Sequence, residues 1–383
     1  MTPEAGFGIY LHWPYCEAIC PYCDFNVYRA RGQDAEPLLA AICADLVAHR
    51  ALTGPVALQS LFLGGGTPSL LPASAVERLI ETCARLWPAA EDIEITLEAN
   101  PTNAEAGRFA AFASAGVNRV SLGVQAFDDA ALKRLGRWHT AAQALDAVRL
   151  AQAAFARVSL DLIAARPDQS LTAWEAELST ALALGVEHLS IYHLTIEDGT
   201  AFARAAARGA LTPPSPDCAA DLYEMTQALC ADAGLPAYEV SNHARGPAAW
   251  SRHNLIYWRS GQWAGVGPGA HGRLDLPGGR LATSAARRPE AYVAQVRSAG
   301  LGWAEPEALD GDAVRQEFWL MGLRLVDGVA RADAMARKAG WPAAAIADLC
   351  AQGLAVSGPD HLRLTDRGRL LADGIAQQLA AAR

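Results

Sequence analysis

The sequence predicts an α/β protein in which a partial (β/α) barrel is followed by a smaller α+β unit. Three observations lead there. Short aliphatic or β-branched runs alternate with helical patterns over roughly the first 240 residues. Polar residues cluster at the C-terminal ends of those runs, and after about Glu305 the alternation gives way to helices around a single hairpin.

The runs are Gly8–His12, Leu58–Leu63, Ile93–Leu97, Arg119–Val124, Val158–Ile163 and His188–Tyr192, separated by helical patterns such as Ala35–Arg50 and Ala73–Leu86. Strands alternating with helices imply a parallel sheet with right-handed crossovers, either open and doubly wound or closed toward a barrel. His12, Gly64–Thr67, Glu98, Gln125, Asp161 and His193 lie in or just after the runs, mostly at their C-terminal ends. That end is the rim on which barrels build their sites, so a barrel is favoured. The chain divides on this reading into a core over 1–240, a segment over 241–304 expected to be irregular, with a Gly-, Trp- and Arg-rich stretch at Ser241–Arg273, and a C-terminal domain over 305–383. The last is expected to form helices at Asp312–Leu325, Arg331–Ala339 and Ala343–Gln352, a hairpin at Ser357–Leu364 and a helix at Asp366–Ala381, an order that resembles a winged helix.

A winged helix raises nucleic-acid binding as a function, but charge opposes it. Residues 311–383 carry nine Lys plus Arg against eight Asp plus Glu, and the 383-residue chain has a net charge of −9. Binding to phosphates needs a basic face. The better reading of this unit is a module that packs against the barrel or covers its mouth. No apolar run reaches the roughly 18 residues of a membrane span, and the first residues lack a signal-peptide pattern, so a cytoplasmic location is expected. In that reducing compartment the eight cysteines are not expected to pair, and Cys43, Cys83, Cys218, Cys230 and Cys350 read as small hydrophobes.

Cys16, Cys20 and Cys23 differ. They follow the first run in the Pro-punctuated loop Cys16-Glu-Ala-Ile-Cys20-Pro-Tyr-Cys23. A structural zinc site normally takes four ligands and no fourth cysteine is near, while a thioredoxin-like pair at Cys20 and Cys23 needs no third thiol upstream. Three thiolates on a four-iron cluster would leave one iron open to an exogenous ligand.

Cys-x3-Cys-x2-Cys after a first strand, with Tyr22 before the third cysteine, resembles the signature of the radical S-adenosylmethionine (SAM) family. The resemblance implies a [4Fe–4S] cluster on Cys16, Cys20 and Cys23, with SAM chelated at the open iron and cleaved there reductively, the chemistry residing in the cofactor. Gly64-Gly65-Gly66-Thr67-Pro68-Ser69 alone could be a strand-to-helix turn; beside the triplet it matches the family's GGGTP motif, which places Gly65, Gly66 and Thr67 at SAM. Glu98, Gln125, Arg137 and Asp161 match SAM-contacting positions of the haem-related subgroup, with Tyr10 beside the cluster. The chain departs from that pattern at Ala164-Ala165-Arg166-Pro167-Asp168, where relatives commonly carry Tyr-Gly-Leu-Pro-Gly.

Within the subgroup the chain resembles the HemW-type haem chaperones more than the oxygen-independent coproporphyrinogen III oxidases. The oxidases carry a further cysteine two positions after the triplet and an N-terminal extension; here that position is Phe25 and fifteen residues precede Cys16. His253-Asn254-Leu255-Ile256-Tyr257-Trp258 matches an HNxxYW motif of the chaperone branch. His253 is thereby a candidate haem ligand, against a satisfied structural histidine, with His193, His243 and His271 as competitors. The resemblance implies haem as cargo and a haem-accepting protein as partner, a membrane respiratory protein being the candidate acceptor. Haem transfer does not require SAM cleavage, so the sequence leaves open whether the chain is an enzyme, and decarboxylation of coproporphyrinogen III is the alternative.

Overall fold

In a computed structural model of the protein, which describes residues 5–32 and 34–382, all six runs are strands. They are β1 (Phe7–Trp13), β2 (Leu58–Gly65), β3 (Ala89–Ala99), β4 (Arg119–Gln125), β5 (Arg157–Ala164) and β6 (His188–His193), each parallel to the next. Ile9, Leu61, Leu97, Val120, Leu160 and Leu189 are all buried, as expected of strands covered on both faces. The crossover helices include α1 (Glu36–Thr53), α2 (Ala73–Leu86), α3 (Ala141–Ala154) and α4 (Leu171–Ala183). Two start where sequence chemistry dictates: Thr140 and Gln143 form a reciprocal capping box for α3, and Ser170 caps α4.

The segment expected to be irregular over 241–304 is instead largely regular. It contributes β7 (Asn242–Ala244), antiparallel to β6, and then β8 (Gln262–Val266), β9 (His271–Leu276) and β10 (Gly279–Ser284), with β8 parallel to β1. With β11 (Glu307–Ala308) the sheet has eleven strands in the order β11-β10-β9-β8-β1-β2-β3-β4-β5-β6-β7. Its two edges do not pair, so the barrel is partial. Glycine density misleads here for a physical reason. A Cβ on Gly265 would strike the His271 carbonyl, and one on Gly272 would lie 2.9 Å from the Trp263 carbonyl and the Gly265 nitrogen. These glycines permit close strand approach and are not turn formers.

The C-terminal segment has its own core around Trp319, Leu349, Leu362 and Leu379. Helices Gly311–Gly322, Arg331–Ala336 and Ala343–Ala351 precede the hairpin of Ala355–Ser357 with His361–Leu364, and Val329–Ala330 adds a third strand. The final helix expected over Asp366–Ala381 is two pieces, Asp366–Arg369 and Ala372–Ala381, because Leu371 leaves helical geometry at φ −115°, ψ 17°. Ion pairs bind this unit to the sheet extension: Glu317 takes Arg273 at 2.6 Å and Arg280 at 3.0 Å, and Asp275 takes Arg337 at 2.7 Å.

Helix α5 (Arg252–Trp258), which carries the HNxxYW motif, packs toward the N-terminal ends of β1, β2 and β3, beside Gly8, Ser60 and Glu94. Buried Glu94 accepts the amide N–H groups of Arg252 and His253, both at 3.2 Å, and pairs with Arg157 at 2.7 Å. Anions are favoured at a helix N-terminus, so Glu94 anchors α5 beneath the barrel.

Candidate functional site

At the opposite, C-terminal end of the strands lies a cavity of about 380 Å³ whose lining includes Cys16, Cys20, Cys23, Gly65, Gly66, Thr67, Glu98, Gln125, Arg137 and Asp161. Ten of the twelve residues singled out in the sequence therefore meet there. The exceptions are Tyr10 and His253.

The cysteine loop is closed at its base by a parallel pairing of Tyr15–Cys16 with Tyr28–Arg29. Its far end is fixed by Asn26, whose amide donates to the carbonyls of Pro268 at 2.9 Å and Arg287 at 2.8 Å. From below, His12 Nε2 donates to the Asn26 carbonyl at 2.9 Å, leaving Nδ1 to accept from the Tyr10 hydroxyl at 2.9 Å. Tyr10 thus does not line the cavity and supports the loop through His12, because its ring packs among Phe62 and His253 in the barrel interior. His12 is a residue the sequence reading did not assign to the site.

Burial raises the Cys16 thiol and pushes the Cys23 thiol up to about 11. Positive charge near the loop favours the thiolates. Arg137 supplies some: its Nη1 lies 3.5 Å from Cys20 Sγ, while Nη2 donates to the Gly123 carbonyl at 2.7 Å and to Asn100. The three thiols line one wall, and among the described residues no three His, Cys, Asp or Glu side chains converge on an ion-sized point. Soft sulfur donors along a wall fit an iron–sulfur cluster better than a single zinc ion.

Gly65-Gly66-Thr67 is strapped under the cysteine loop by Gly66 N–H to the Trp13 carbonyl at 2.6 Å and Thr67 N–H to the Tyr15 carbonyl at 2.9 Å. A Cβ at Gly66 would meet those two carbonyls at 2.8 Å, and Gly65 has φ +102°, so both positions demand glycine. Gly65 N–H donates to Glu98 Oε2 at 3.0 Å. Buried Glu105, also unassigned from the sequence, accepts from Ser69 and from the Asn100 amide N–H at 2.8 Å, and Asn100 Nδ2 reaches Thr67 Oγ1 at 3.3 Å. Its signal was the Asn100-x4-Glu105 spacing after β3, which is mute without the fold.

Glu98 and Asp161 face this cavity with raised carboxyl pKa values. Burial and then the Asp161 charge push Glu98 up to about 8; burial pushes Asp161 up to about 6, against the Ser121 hydroxyl donating at 3.0 Å. Two carboxyl groups held up by desolvation, Glu98 also by the Asp161 charge, suit a ligand that brings a cation and hydroxyl donors. An aminoacyl sulfonium bearing a ribose is such a ligand.

His253 lies elsewhere. It is buried, with Nδ1 2.6 Å from Ser60 Oγ, Nε2 2.6 Å from the Tyr257 hydroxyl, and its ring stacked on Phe62 at 4.9 Å. Both nitrogens are engaged, and burial lowers its pKa to about 3. Glu94, which anchors its helix, is four residues from Glu98 on the cavity wall, on the order of 13 Å along a strand. The structure thus places His253, the expected haem ligand, outside the cavity, in the helix at the bottom of the barrel, where its two hydrogen bonds give it a structural role.

The family model of the radical SAM superfamily matches residues 10–179. Over 381 residues the chain is 38% identical to the haem chaperone HemW of Mycobacterium tuberculosis, covering 98% of this chain and 95% of that protein. The haem chaperone HemW of Escherichia coli is 35% identical, with 98% of each chain covered. The chain belongs to the HemW branch of the radical SAM superfamily. The mitochondrial radical S-adenosyl methionine domain-containing protein 1 of Bos taurus is 41% identical over 327 residues, 84% of this chain and 74% of that one. Coproporphyrinogen III oxidase (HemN) from Escherichia coli shares the fold, with a TM-score of 0.80 at 20% identity over 99% of this chain and 91% of that chain.

Membership in this branch makes the departure at Ala164–Asp168 interpretable. Ala165 and Asp168 adopt φ +55° and +61°, a backbone region suited to the glycines that relatives commonly carry there. Arg166, in place of leucine, forms a buried two-pronged pair with Glu177 at 2.9 and 2.7 Å, and its Nη1 lies 3.4 Å from the Gln125 carbonyl. Gln125 itself has φ +68°. The departure therefore braces a cavity residue from behind.

Proposed function

We propose that this protein is a cytoplasmic haem chaperone that carries a [4Fe–4S] cluster on Cys16, Cys20 and Cys23, binds SAM beside it, and passes haem to an acceptor protein. The observation that carries the reading is similarity to haem chaperones over almost the whole chain, barrel and C-terminal unit together.

Each thiol would hold one iron, with Arg137 offsetting the negative charge of the sulfurs. Bound there, the cluster supplies one-electron chemistry to SAM. Gly65–Thr67 let backbone approach the ligand's amino group, and Glu98 is suited to accept its N–H. Gln125, fixed from behind by Arg166, and Asp161, fixed by Ser121, are suited to polar groups of the ligand. Phe25 stands where the oxidases place a further cysteine, which supports the chaperone over the decarboxylase. A membrane respiratory protein is the acceptor we favour.

The test is a parallel assay of anaerobically reconstituted protein for stable haem uptake and for decarboxylation of coproporphyrinogen III. Uptake without decarboxylation is expected. Decarboxylation without uptake overturns the reading in favour of the oxidase.

A further inference from the structure

Asn100 follows the last residue of β3 and lines the cavity, half-buried, between two groups of opposite character. On one side is the buried carboxylate of Glu105, an acceptor; on the other is the guanidinium of Arg137, which can only donate. Glu105 Oε2 accepts the Asn100 backbone N–H at 2.8 Å and Oε1 accepts Nδ2 at 3.2 Å, while Asn100 Oδ1 accepts from Arg137 Nη2. Turning the amide over would set donor against donor and acceptor against acceptor, so this network assigns its orientation. The second Nδ2 proton goes to Thr67 Oγ1 at 3.3 Å.

Both side chains held by this amide, apart from Glu105, stand against a cysteine. Arg137 places Nη1 3.5 Å from Cys20 Sγ, and the Thr67 hydroxyl hydrogen-bonds Cys16. Because Thr67 Oγ1 accepts from Asn100, its own proton is left for the sulfur. One amide thus directs a donor at each of two of the three thiols. Glu105 is itself fixed by the Ser69 hydroxyl and by Thr102 Oγ1 at 3.4 Å, so the network joins the turn after β2 and the loop after β3 to the cysteine loop.

We infer that Asn100, oriented by Glu105, is a positioning residue that sets the reduction potential of the cluster, by holding Arg137 against Cys20 and aiming the Thr67 hydroxyl at Cys16. Reduction adds negative charge to a cluster. Hydrogen bonds and a cation at its sulfurs stabilise that charge, which raises the potential. The residue type follows from the geometry: an aspartate here would repel Glu105, and neither an apolar side chain nor a hydroxyl could serve Glu105, Thr67 and Arg137 together.

This inference rests on the cluster reading, and one experiment separates the two. The full-length protein is reconstituted anaerobically without SAM, and the midpoint potential of its cluster is measured by a redox titration followed by electron paramagnetic resonance. Asn100→Ala, Asn100→Ser, Arg137→Met and the double variant Asn100→Ala/Arg137→Met are compared with the unmodified chain. Ser170→Ala, which removes the cap of α4, controls for general loosening. Both Asn100 variants should keep the cluster absorbance and shift the midpoint to a more negative potential, whereas Ser170→Ala should leave it in place. In the double variant the shift should fall short of the sum of the single shifts, because Asn100 acts in part through Arg137. Electron–nuclear double resonance in H2O and D2O should show exchangeable protons near the reduced cluster that Asn100→Ala loses. An unmoved potential in both Asn100 variants, or additive shifts, overturns the inference and leaves the cluster reading standing. Loss of the cluster from both Asn100 variants also overturns it, since a positioning residue leaves assembly intact. Failure of the unmodified chain to assemble a cluster overturns the cluster reading, and this inference with it.

Discussion

The guanidinium of Arg324 lies 4.4 Å from the centroid of the Trp258 ring, and its Nη2 is 3.2 Å from Glu239 Oε2. Trp258 ends the HNxxYW motif and Arg324 follows the first helix of the C-terminal unit. One side chain therefore ties the barrel's floor to that unit. Glu239 is fully buried, so Arg324→Ala leaves an unpaired carboxylate and should cost about 3 kcal/mol in urea unfolding. Hydrogen exchange should rise first in residues 311–381. Unchanged exchange there would show that the other ion pairs suffice.

Replacing Cys16, Cys20 or Cys23 by Ala should each abolish the visible absorbance of the reconstituted cluster, because each thiol holds a different iron. Cys43→Ala and Cys350→Ala should leave it unchanged, since neither lines the cavity. Equal loss from either control would refute the three-thiol site.

Glu98 offers a way to weaken SAM binding without disturbing the cluster, whereas Gly65 does not. A Cβ at Gly65 would press the His12 ring at 2.5 Å, and His12 holds the cysteine loop through Asn26. Glu98→Gln should lower SAM affinity in equilibrium dialysis while the cluster spectrum is kept. It should also change the pH response of the cluster-free protein. Glu98 titrates at about 8 when folded against an ordinary 4.5. Between those values the folded chain keeps a proton the unfolded chain has released, so stability falls as pH rises through that window. Denaturation midpoints from pH 5 to 8 should slope less in Glu98→Gln.

For His253 the sign reverses. Its folded pKa of about 3 lies below the ordinary 6.5, so the unfolded chain binds the proton and stability is lost as pH falls from 6.5 toward 3. His253→Phe should reduce that loss. It should also cost about 2–4 kcal/mol at neutral pH, because Ser60 and Tyr257 lose their partner in a buried setting. Thermal melts at pH 7 and pH 5 measure both effects. A fully stable variant at pH 7 would remove His253 from the structural role given to it.

The barrel strands, the cysteine loop and the glycine cradle could be read from the sequence by itself because each is a local pattern. Six apolar runs encode six strands covered on both faces, Cys16-x3-Cys20-x2-Cys23 encodes three donors on one loop, and Gly65-Gly66 encodes backbone that must come close to its neighbours. What only the tertiary structure decided is which end of the barrel each remaining side chain reaches. Glu105 and His12 support the site through contacts with residues distant in sequence or opposite in a loop, and their place in the chain does not reveal those contacts. Gly265 and Gly272 resemble turn formers until a neighbouring strand is seen to pass where their Cβ atoms would be. The sharpest case is the pair of histidines. His253 stands in a motif and His193 does not, yet a strand has two ends, and packing puts His253 under the barrel with both nitrogens engaged while His193 ends β6 beside the cavity with its Nε2 buried against Tyr223.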